Sequence, residues 1–201
     1  MKKYELLKDD TIEVAGKTLF RIKALISFKD IRKGEIGGYV EAERNLSQSG
    51  NAWVTGNAWV CDDAWVSGNA RVTGNARVSD NAWVSGNACV TGNAWVCDDA
   101  WVSGNAWVTG NACVTGNAWV CDDAWVSGNA WVETSNDYIV FKNNWSSFRW
   151  FTYTKSNKMW RVGCFYGTGD ELIKEAYADS EESGRKYELY VNLVKELYRD
   201  E

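Results

Sequence analysis

Small apolar and polar positions recur along the middle of the chain with a period of six. From Asn51 to Val132 the phrase Asn/Asp-Ala-X-Val-(Thr/Ser/Cys)-(Gly/Asp) occurs fourteen times, and only the last copy ends differently, at Glu133-Thr134. Ala and Val lie two positions apart, so they point to one side of an extended strand, whereas X and the residue after Val point to the other. A fixed short period predicts a stack of equivalent coils rather than a globule.

Each phrase is predicted to form one short strand and one bend. The Gly-Asn or Asp-Asp that separates successive strands favours a corner, because Gly adopts left-handed backbone angles freely and Asn tolerates them. Ala and Val are small enough to fill a narrow interior, so we expect the larger X residues outside. X is Trp in ten phrases, Arg at positions 71 and 77, and Cys at positions 89 and 113.

The segment from Val54 to Trp59, Val-Thr-Gly-Asn-Ala-Trp, resembles the hexapeptide-repeat family, with an aliphatic residue, a small residue four positions later and a bend between them. The resemblance implies a left-handed parallel β-helix of triangular section with three phrases in each coil. The fold class is therefore mainly β, a prism of about five coils. The phrase x-Gly-Asn-Ala-x-Val and the opening segment 34–41 also resemble repeat proteins carried by bacteriophages and prophages.

Three phrases make a coil of eighteen residues, so residues eighteen apart are predicted to stack, with roughly 4.8 Å between coils. Each Arg then neighbours a Trp, which favours guanidinium–indole stacking. One outer face carries what we call the tryptophan column: Trp65, Trp83, Trp101 and Trp119. A second carries mixed column one, Trp53, Arg71, Cys89, Trp107 and Trp125, and the third carries mixed column two, Trp59, Arg77, Trp95, Cys113 and Trp131.

The chain outside the repeat suggests two flanking modules. Residues 1–44 are interpreted as an N-terminal β cap, 45–134 as the β-helix, and 135–201 as a small α+β module that ends in a helix. In the last module, segments 138–141, 148–154 and 159–165 have strand patterns, and 170–178 and 181–199 have helix patterns, with Thr168 or Ser180 as caps. An apolar stripe on the last helix, Tyr190, Leu193, Val194 and Leu197, is expected to face the core.

Composition narrows the chemistry. The chain of 201 residues has a net charge of −5 and no histidine. The negative net charge argues against nucleic acid as a binding partner, and the lack of long apolar runs argues against a membrane partner. Without His, any His-dependent triad is excluded and the commonest metal ligand is missing, so we expect neither catalysis nor a cofactor. We also expect a cytoplasmic location in a bacterial host.

The cysteines are interpreted as reduced thiols that the register keeps apart. Cys61 and Cys97 share a column but lie two coils apart, roughly 9.6 Å, which is beyond the reach of a disulfide. Cys97 and Cys113 share a face but are placed on opposite sides of its Val row. Cys164 lies in an apolar segment and is interpreted as a buried structural thiol.

The corner residues predict an acidic edge. Aspartates eighteen apart stack at one corner, and two more flank it, which gives the set Asp62, Asp63, Asp80, Asp98 and Asp99. A solvated corner is the simplest interpretation, because Asp favours bends. The alternatives are a calcium site of stacked carboxylates and a phosphate mimic that occupies a nucleic-acid groove on another protein.

The outward tryptophans predict binding. Each offers ~150–250 Å² of contact area, and one column exposes about as much apolar surface as a monomer tolerates. Stacking between coils is the alternative role. Residues 87–108 and 111–132 are identical at an offset of four phrases, which moves a duplicated block to the next face and suits a generic ladder better than a shaped site.

The favoured function is thus a non-catalytic interaction protein that contacts a protein partner or another copy of itself. The phage-like resemblance suggests an inhibitor of a host defence protein or an accessory or virion component. One alternative is acyltransferase activity, as in many hexapeptide-repeat proteins, which generally use a His base that this chain lacks. The other is carbohydrate binding along the tryptophan column.

Overall fold

The fold is a parallel β-solenoid closed at each end by a different module, in a computed structural model that describes residues 2–199. β1 (Tyr4–Val14), β2 (Lys17–Ala24) and β3 (Ile36–Val40) precede the solenoid, with a 3-10 turn at Glu43–Asn45. The fourteen solenoid strands, β4 to β17, are the X-Val dipeptides: Trp53–Val54, Trp59–Val60, Trp65–Val66, Arg71–Val72, Arg77–Val78, Trp83–Val84, Cys89–Val90, Trp95–Val96, Trp101–Val102, Trp107–Val108, Cys113–Val114, Trp119–Val120, Trp125–Val126 and Trp131–Val132.

The strands form three parallel sheets, and each strand pairs with the strand eighteen residues later. One sheet has the order β4-β7-β10-β13-β16, the second β5-β8-β11-β14-β17, and the third β6-β9-β12-β15. Trp83 and Trp119, for example, lie directly on either side of Trp101. The predicted eighteen-residue coil is therefore confirmed. The hand of the winding stays a prediction.

The interior consists of Ala and Val, as predicted. Every Val of the repeat is fully buried, and each repeat Ala exposes at most 1% of its surface. These side chains form one continuous apolar cluster along the solenoid. Backbone amides bond from coil to coil, as when Trp101 donates to the carbonyl of Ala118 at 2.8 Å. The narrow lumen explains why bulky residues stay outside.

The corners need a left-handed residue in close contact with the next coil. Gly86 has φ +66°, and a Cβ there would lie 2.8 Å from the carbonyl oxygen of Gly104. Four aspartates take the same left-handed conformation where other phrases have Gly, at Asp62, Asp80, Asp98 and Asp122. Asparagines beside the corners form amide ladders, as from Asn69 to Asn87 at 3.0 Å. Each corner is thus fixed by backbone shape and by side-chain hydrogen bonds.

The N-terminal module closes the first coil. β1 and β2 form an antiparallel pair, and β3 joins β2 to β5 of the solenoid, in parallel with β5. Gly38 permits this approach, because a Cβ at that position would lie 2.4 Å from the carbonyl oxygen of Ala58. The buried ammonium of Lys3 donates to the carbonyl of Ala52 at 2.9 Å. These contacts cover strand edges that would otherwise be free to pair with another chain.

The C-terminal module satisfies the last coil with side chains. The backbone amides of Trp119, Trp125 and Trp131 have no following coil to bond to. They donate instead to the hydroxyls of Ser135 (3.2 Å), Thr152 (2.9 Å) and Ser156 (2.7 Å). The Tyr138 hydroxyl also donates to the carbonyl of Trp119 at 2.7 Å. The module therefore replaces the missing coil at all three faces.

The C-terminal module is a four-stranded antiparallel sheet packed against two helices. Its elements are β18 (Tyr138–Lys142), β19 (Trp150–Thr154), β20 (Met159–Val162), β21 (Phe165–Gly167), α1 (Gly169–Asp179) and α2 (Glu181–Leu197). Thr168 caps α1 and Ser180 caps α2. The prediction of one strand over 159–165 is wrong, because Gly163 takes a left-handed φ of 57° and turns the chain into a hairpin.

One side-chain prediction in this module is wrong, and a second is wrong in part. Cys164 lies in that hairpin turn and is exposed rather than buried. In the predicted stripe on α2, Val194 is buried and Tyr190 packs against the core, whereas Leu193 and Leu197 are exposed. The expected stripe was offset because helix α2 meets the sheet through a face rotated from the one that the leucines define.

A substitution pair tests the inward and outward assignment. We expect Ala76→Leu to lower the free energy of unfolding by about 1–3 kcal/mol or more, because the closed lumen has no room for three added carbons. Arg77→Leu places the same side chain at the next position, which points to the outer surface. We expect it to change the free energy of unfolding by less than about 1 kcal/mol. Chemical denaturation measures both. Equal losses would contradict the assignment.

The cap contact of Tyr138 predicts a dependence on alkaline pH. Burial raises the pKa of Tyr138 to about 12, from an ordinary value of 10.0. A raised pKa in the folded state stabilises the protein fully below pH 10, and this stabilisation is lost as pH rises towards 12. We expect the free energy of unfolding to fall over that window, and to fall less steeply in Tyr138→Phe. Identical slopes for the two proteins would show that the phenol is not linked to folding.

Candidate functional site

The tryptophan column forms an aromatic ladder from Trp83 to Trp119 on one face of the solenoid. Trp83 and Trp101 meet edge to face with centroids 5.7 Å apart, and Trp101 and Trp119 stack at 5.0 Å with ring planes 9° apart. The indole nitrogens of Trp101 and Trp119 donate to Ser85 (3.3 Å) and Ser103 (3.1 Å) of the preceding coil. The rings are thus held in one orientation before any partner arrives.

The column also remains open to solvent. Trp83 is 50% exposed, Trp101 38% and Trp119 49%, whereas Trp65 is half-buried. A shallow cleft of about 280 Å³ lies beside Trp83 and Trp101 and is bordered by Asn81 and Asp99. Large apolar area together with a few polar groups at its border is typical of a protein-binding surface.

The stacking bears on the carbohydrate alternative. A sugar ring packs flat against an exposed indole face. Trp101 and Trp119 turn one face each towards the other, so those two faces are closed to a sugar ring. The predicted inter-coil stabilisation by stacking therefore operates in this part of the column, while the exposed edges remain available for contact.

The flanking modules contact the two mixed columns more extensively. Trp53 is fully buried, against the prediction that it is displayed, because Tyr4 and Phe28 of the N-terminal module pack on its ring at 6.2 and 5.4 Å. At the other end of mixed column one, the Arg161 guanidinium lies 3.8 Å from the centre of the Trp125 ring. Trp59 of mixed column two packs under the N-terminal module.

The two repeat arginines behave differently from each other. Arg77 lies over Trp59 at 6.0 Å, which is the predicted guanidinium–indole pairing. Nη1 of Arg71 instead donates to both carboxylate oxygens of Asp30, at 2.8 and 2.9 Å. The prediction of stacking in both columns was wrong for Arg71, because a loop of the N-terminal module supplies a carboxylate that the repeat pattern does not reveal.

The acidic edge is partly neutralised at its N-terminal end. Lys17 forms an ion pair with Asp62, and Arg44 lies 3.4 Å from Asp63. The next corners hold Asp80 and Asp98. The Ser79 hydroxyl donates to Asp80 at 2.7 Å, and Asn81 donates to Asp99 at 2.9 Å.

Asp98 is the most strongly hydrogen-bonded member of the edge. It accepts from the Thr115 hydroxyl and from the Gly116 amide, the latter at 3.1 Å. These hydrogen bonds lower the pKa of Asp98. Its carboxylate therefore stays ionised even in mildly acidic solution.

Two thiols that the register was expected to separate are neighbours. Cys97 and Cys113 lie close enough for each thiol to shift the pKa of the other, and both are buried. They lie sixteen residues apart, the same diagonal relation that joins Trp95 to Ser79 and Trp101 to Ser85. Both side chains point outward, so the prediction that the register keeps these two thiols apart was wrong. Burial raises the pKa of Cys113 to about 11, so this thiol is protonated at neutral pH.

The exposed leucines of α2 form a second apolar surface, which sequence reasoning missed. Leu189, Leu193 and Leu197 follow one another at intervals of four residues on the outer side of the helix, and Leu189 is 68% exposed. A groove of about 300 Å³ runs beside them, lined by Trp145, Lys186 and Tyr190 among others. The signal was present as an i, i+4 series of leucines, but such a series does not by itself say whether it faces the core.

Comparison with known proteins supports the architecture. A family model described as YdcK Beta solenoid repeat matches residues 64–80 and 82–98. The two matched segments begin eighteen residues apart, which is one coil of the solenoid. They cover 34 of the 201 residues and support a β-solenoid repeat protein. No curated protein matches the chain. Within residues 2–199, neither helix combines the length and the apolar character that crossing a membrane requires.

Proposed function

We propose that this chain is a non-catalytic binding protein, of bacteriophage or prophage type, whose tryptophan column docks on a protein partner in the bacterial cytoplasm. The observation that carries the proposal is the exposure of three successive indoles at Trp83, Trp101 and Trp119. Trp is among the residues most enriched at the energetic centres of interfaces. An inhibitor of a host defence protein or an accessory component of the virion both fit this description.

Rigidity supports the proposal. Serine hydroxyls fix two of the indoles and ring stacking fixes their planes, so little side-chain entropy is lost when a partner covers them. The parallel strands hold successive indoles of the column one coil apart. A surface with these properties suits tight contact with a protein rather than turnover of a small molecule.

The test is capture of a partner from bacterial lysate with the full chain as bait. Trp83→Ser/Trp101→Ser should weaken the captured interaction by at least roughly 30-fold, because loss of a central interface Trp costs about 2 kcal/mol or more. Trp95→Ser/Trp131→Ser is the matched control, since it removes two exposed indoles from another face. Leu189→Ser/Leu193→Ser removes the apolar series on α2 in the same way.

The three variants separate the surfaces. Loss confined to Trp83→Ser/Trp101→Ser supports the proposal. Unchanged capture by that variant overturns it, and loss confined to the leucine variant would place binding on α2 instead. Native mass spectrometry of the same proteins shows whether the captured partner is another copy of the chain.

The two alternative functions have direct assays. We expect no turnover of acetyl-CoA, because the chain lacks the His base that acyltransferases of hexapeptide-repeat type generally use. We expect soluble polysaccharides to leave the tryptophan fluorescence unchanged, because the stacked pair closes one face of each indole to a sugar ring. Measurable turnover, or a saturable fluorescence change that Trp83→Ser/Trp101→Ser abolishes, would replace the proposed function.

A further inference from the structure

Two clusters of metal-ligating side chains lie at successive corners of one edge. The first consists of Glu41, Cys61 and Asp62, and the second of Asp80, Cys97 and Asp98. In each cluster the candidate ligand atoms lie within 4.8 Å of one another. Each cluster contains a left-handed Asp at a corner, Asp62 or Asp98, and the Cys that directly precedes it in the sequence.

The first cluster already contains cations supplied by the protein. The Lys17 ammonium pairs with Asp62, and the Arg44 guanidinium lies 3.8 Å from Glu41. These positive charges offset the two carboxylates. A metal ion entering the same space would have to displace them.

The second cluster differs in charge. Within residues 2–199 no Lys or Arg forms an ion pair with Asp80 or Asp98, although the two carboxylates stack one coil apart. Their hydrogen-bond donors are all neutral: the hydroxyls of Ser79 and Thr115, the amide of Gly116 and the thiol of Cys97. Like charges opposite each other on neighbouring strands are destabilising, so this corner favours a bound cation.

A second thiol completes the second cluster. Cys113 interacts with Cys97 and belongs to the following coil. The diagonal of a parallel ladder separates their Cα atoms by roughly 8 Å, from a strand spacing of about 4.8 Å and two residues of rise. A disulfide needs a separation below about 7 Å, so this pair fits a shared metal ion better than a covalent bridge.

We propose that the second cluster binds one thiophilic divalent cation, with Zn²⁺ as the ion of that chemistry, through Asp80, Cys97, Asp98 and Cys113. The ligand atoms of Asp80, Cys97 and Asp98 lie within 4.8 Å of one another and close around an ion by small side-chain rotations. Cys113 lies outside that group and rotates towards it to supply the fourth ligand of a tetrahedral ion. The sulfur ligands select zinc over calcium, which takes oxygen ligands. The ion joins three successive coils at one corner.

Titration of the full chain with Co²⁺ in a non-thiol reductant tests the site. We expect one equivalent to bind with the visible absorption of a tetrahedral thiolate complex, and Zn²⁺ to displace it. Cys97→Ser should weaken binding at least about tenfold, since even groups behind a metal ligand contribute roughly 10–100-fold. Ser occupies the same phrase position at Ser67 and Ser79, so this variant should fold.

Cys61→Ser is the matched control, because it removes the equivalent thiol from the cluster that Lys17 neutralises. We expect its Co²⁺ affinity and stoichiometry to equal those of the wild type. Cys113→Ser and Asp80→Asn/Asp98→Asn should each weaken binding by a similar factor to Cys97→Ser. A rise in melting temperature with Zn²⁺ should accompany binding in the wild type and the control alone.

Three results would overturn the proposal: no Co²⁺ bound at one equivalent by the folded wild type, unchanged affinity in folded Cys97→Ser, or equal loss in Cys61→Ser. The metal ligands and the indoles of the tryptophan column are different residues, although this corner borders the cleft beside Trp83 and Trp101. The metal-site variants leave the indoles in place and the indole variants leave the ligands in place, so either proposal can fail while the other holds.

Discussion

The structure depends on the closure of a lumen that only alanine and valine side chains fill. The repeat supplies nothing larger at its inward positions, and burial of these methyl groups along the whole solenoid supplies its hydrophobic stabilisation. The corner residues make that closure possible, because they take the left-handed backbone angles that the bend requires, as Gly at most corners and as Asp at four. Once the lumen is closed, every bulky side chain of the repeat must lie outside, and the eighteen-residue coil places those side chains in columns.

The surface then follows from which columns the flanking modules contact. The N-terminal module packs on Trp53 and Trp59, and the C-terminal module places Arg161 over Trp125. Both modules also complete the backbone hydrogen bonds of the end coils. The middle and end of the tryptophan column stay exposed, so the modules that stabilise the solenoid also decide which indoles can meet a partner.

The repeat made the solenoid predictable because the six-residue period, the small inward residues and the corner residues all indicate the same fold. What the sequence did not reveal came from contacts between distant segments. The burial of Trp53 and the pairing of Arg71 with Asp30 depend on where the N-terminal module folds back. The proximity of Cys97 and Cys113 could have been predicted, because the diagonal offset of sixteen residues follows from the same register. The exposure of Leu193 depends on how α2 rotates against its sheet, which periodicity alone does not fix.

Spin-label distances along one corner test the central claim most directly. In a background with Ser at all six cysteines, labels at Asn57 paired with Asn93, Asn111 or Asn129 span two, three and four coils. A stacked solenoid predicts separations of roughly 10, 14 and 19 Å, which grow by about 4.8 Å for every eighteen residues. Separations that fail to increase in equal steps would contradict the coil, and with it the placement of the tryptophans on the outer surface.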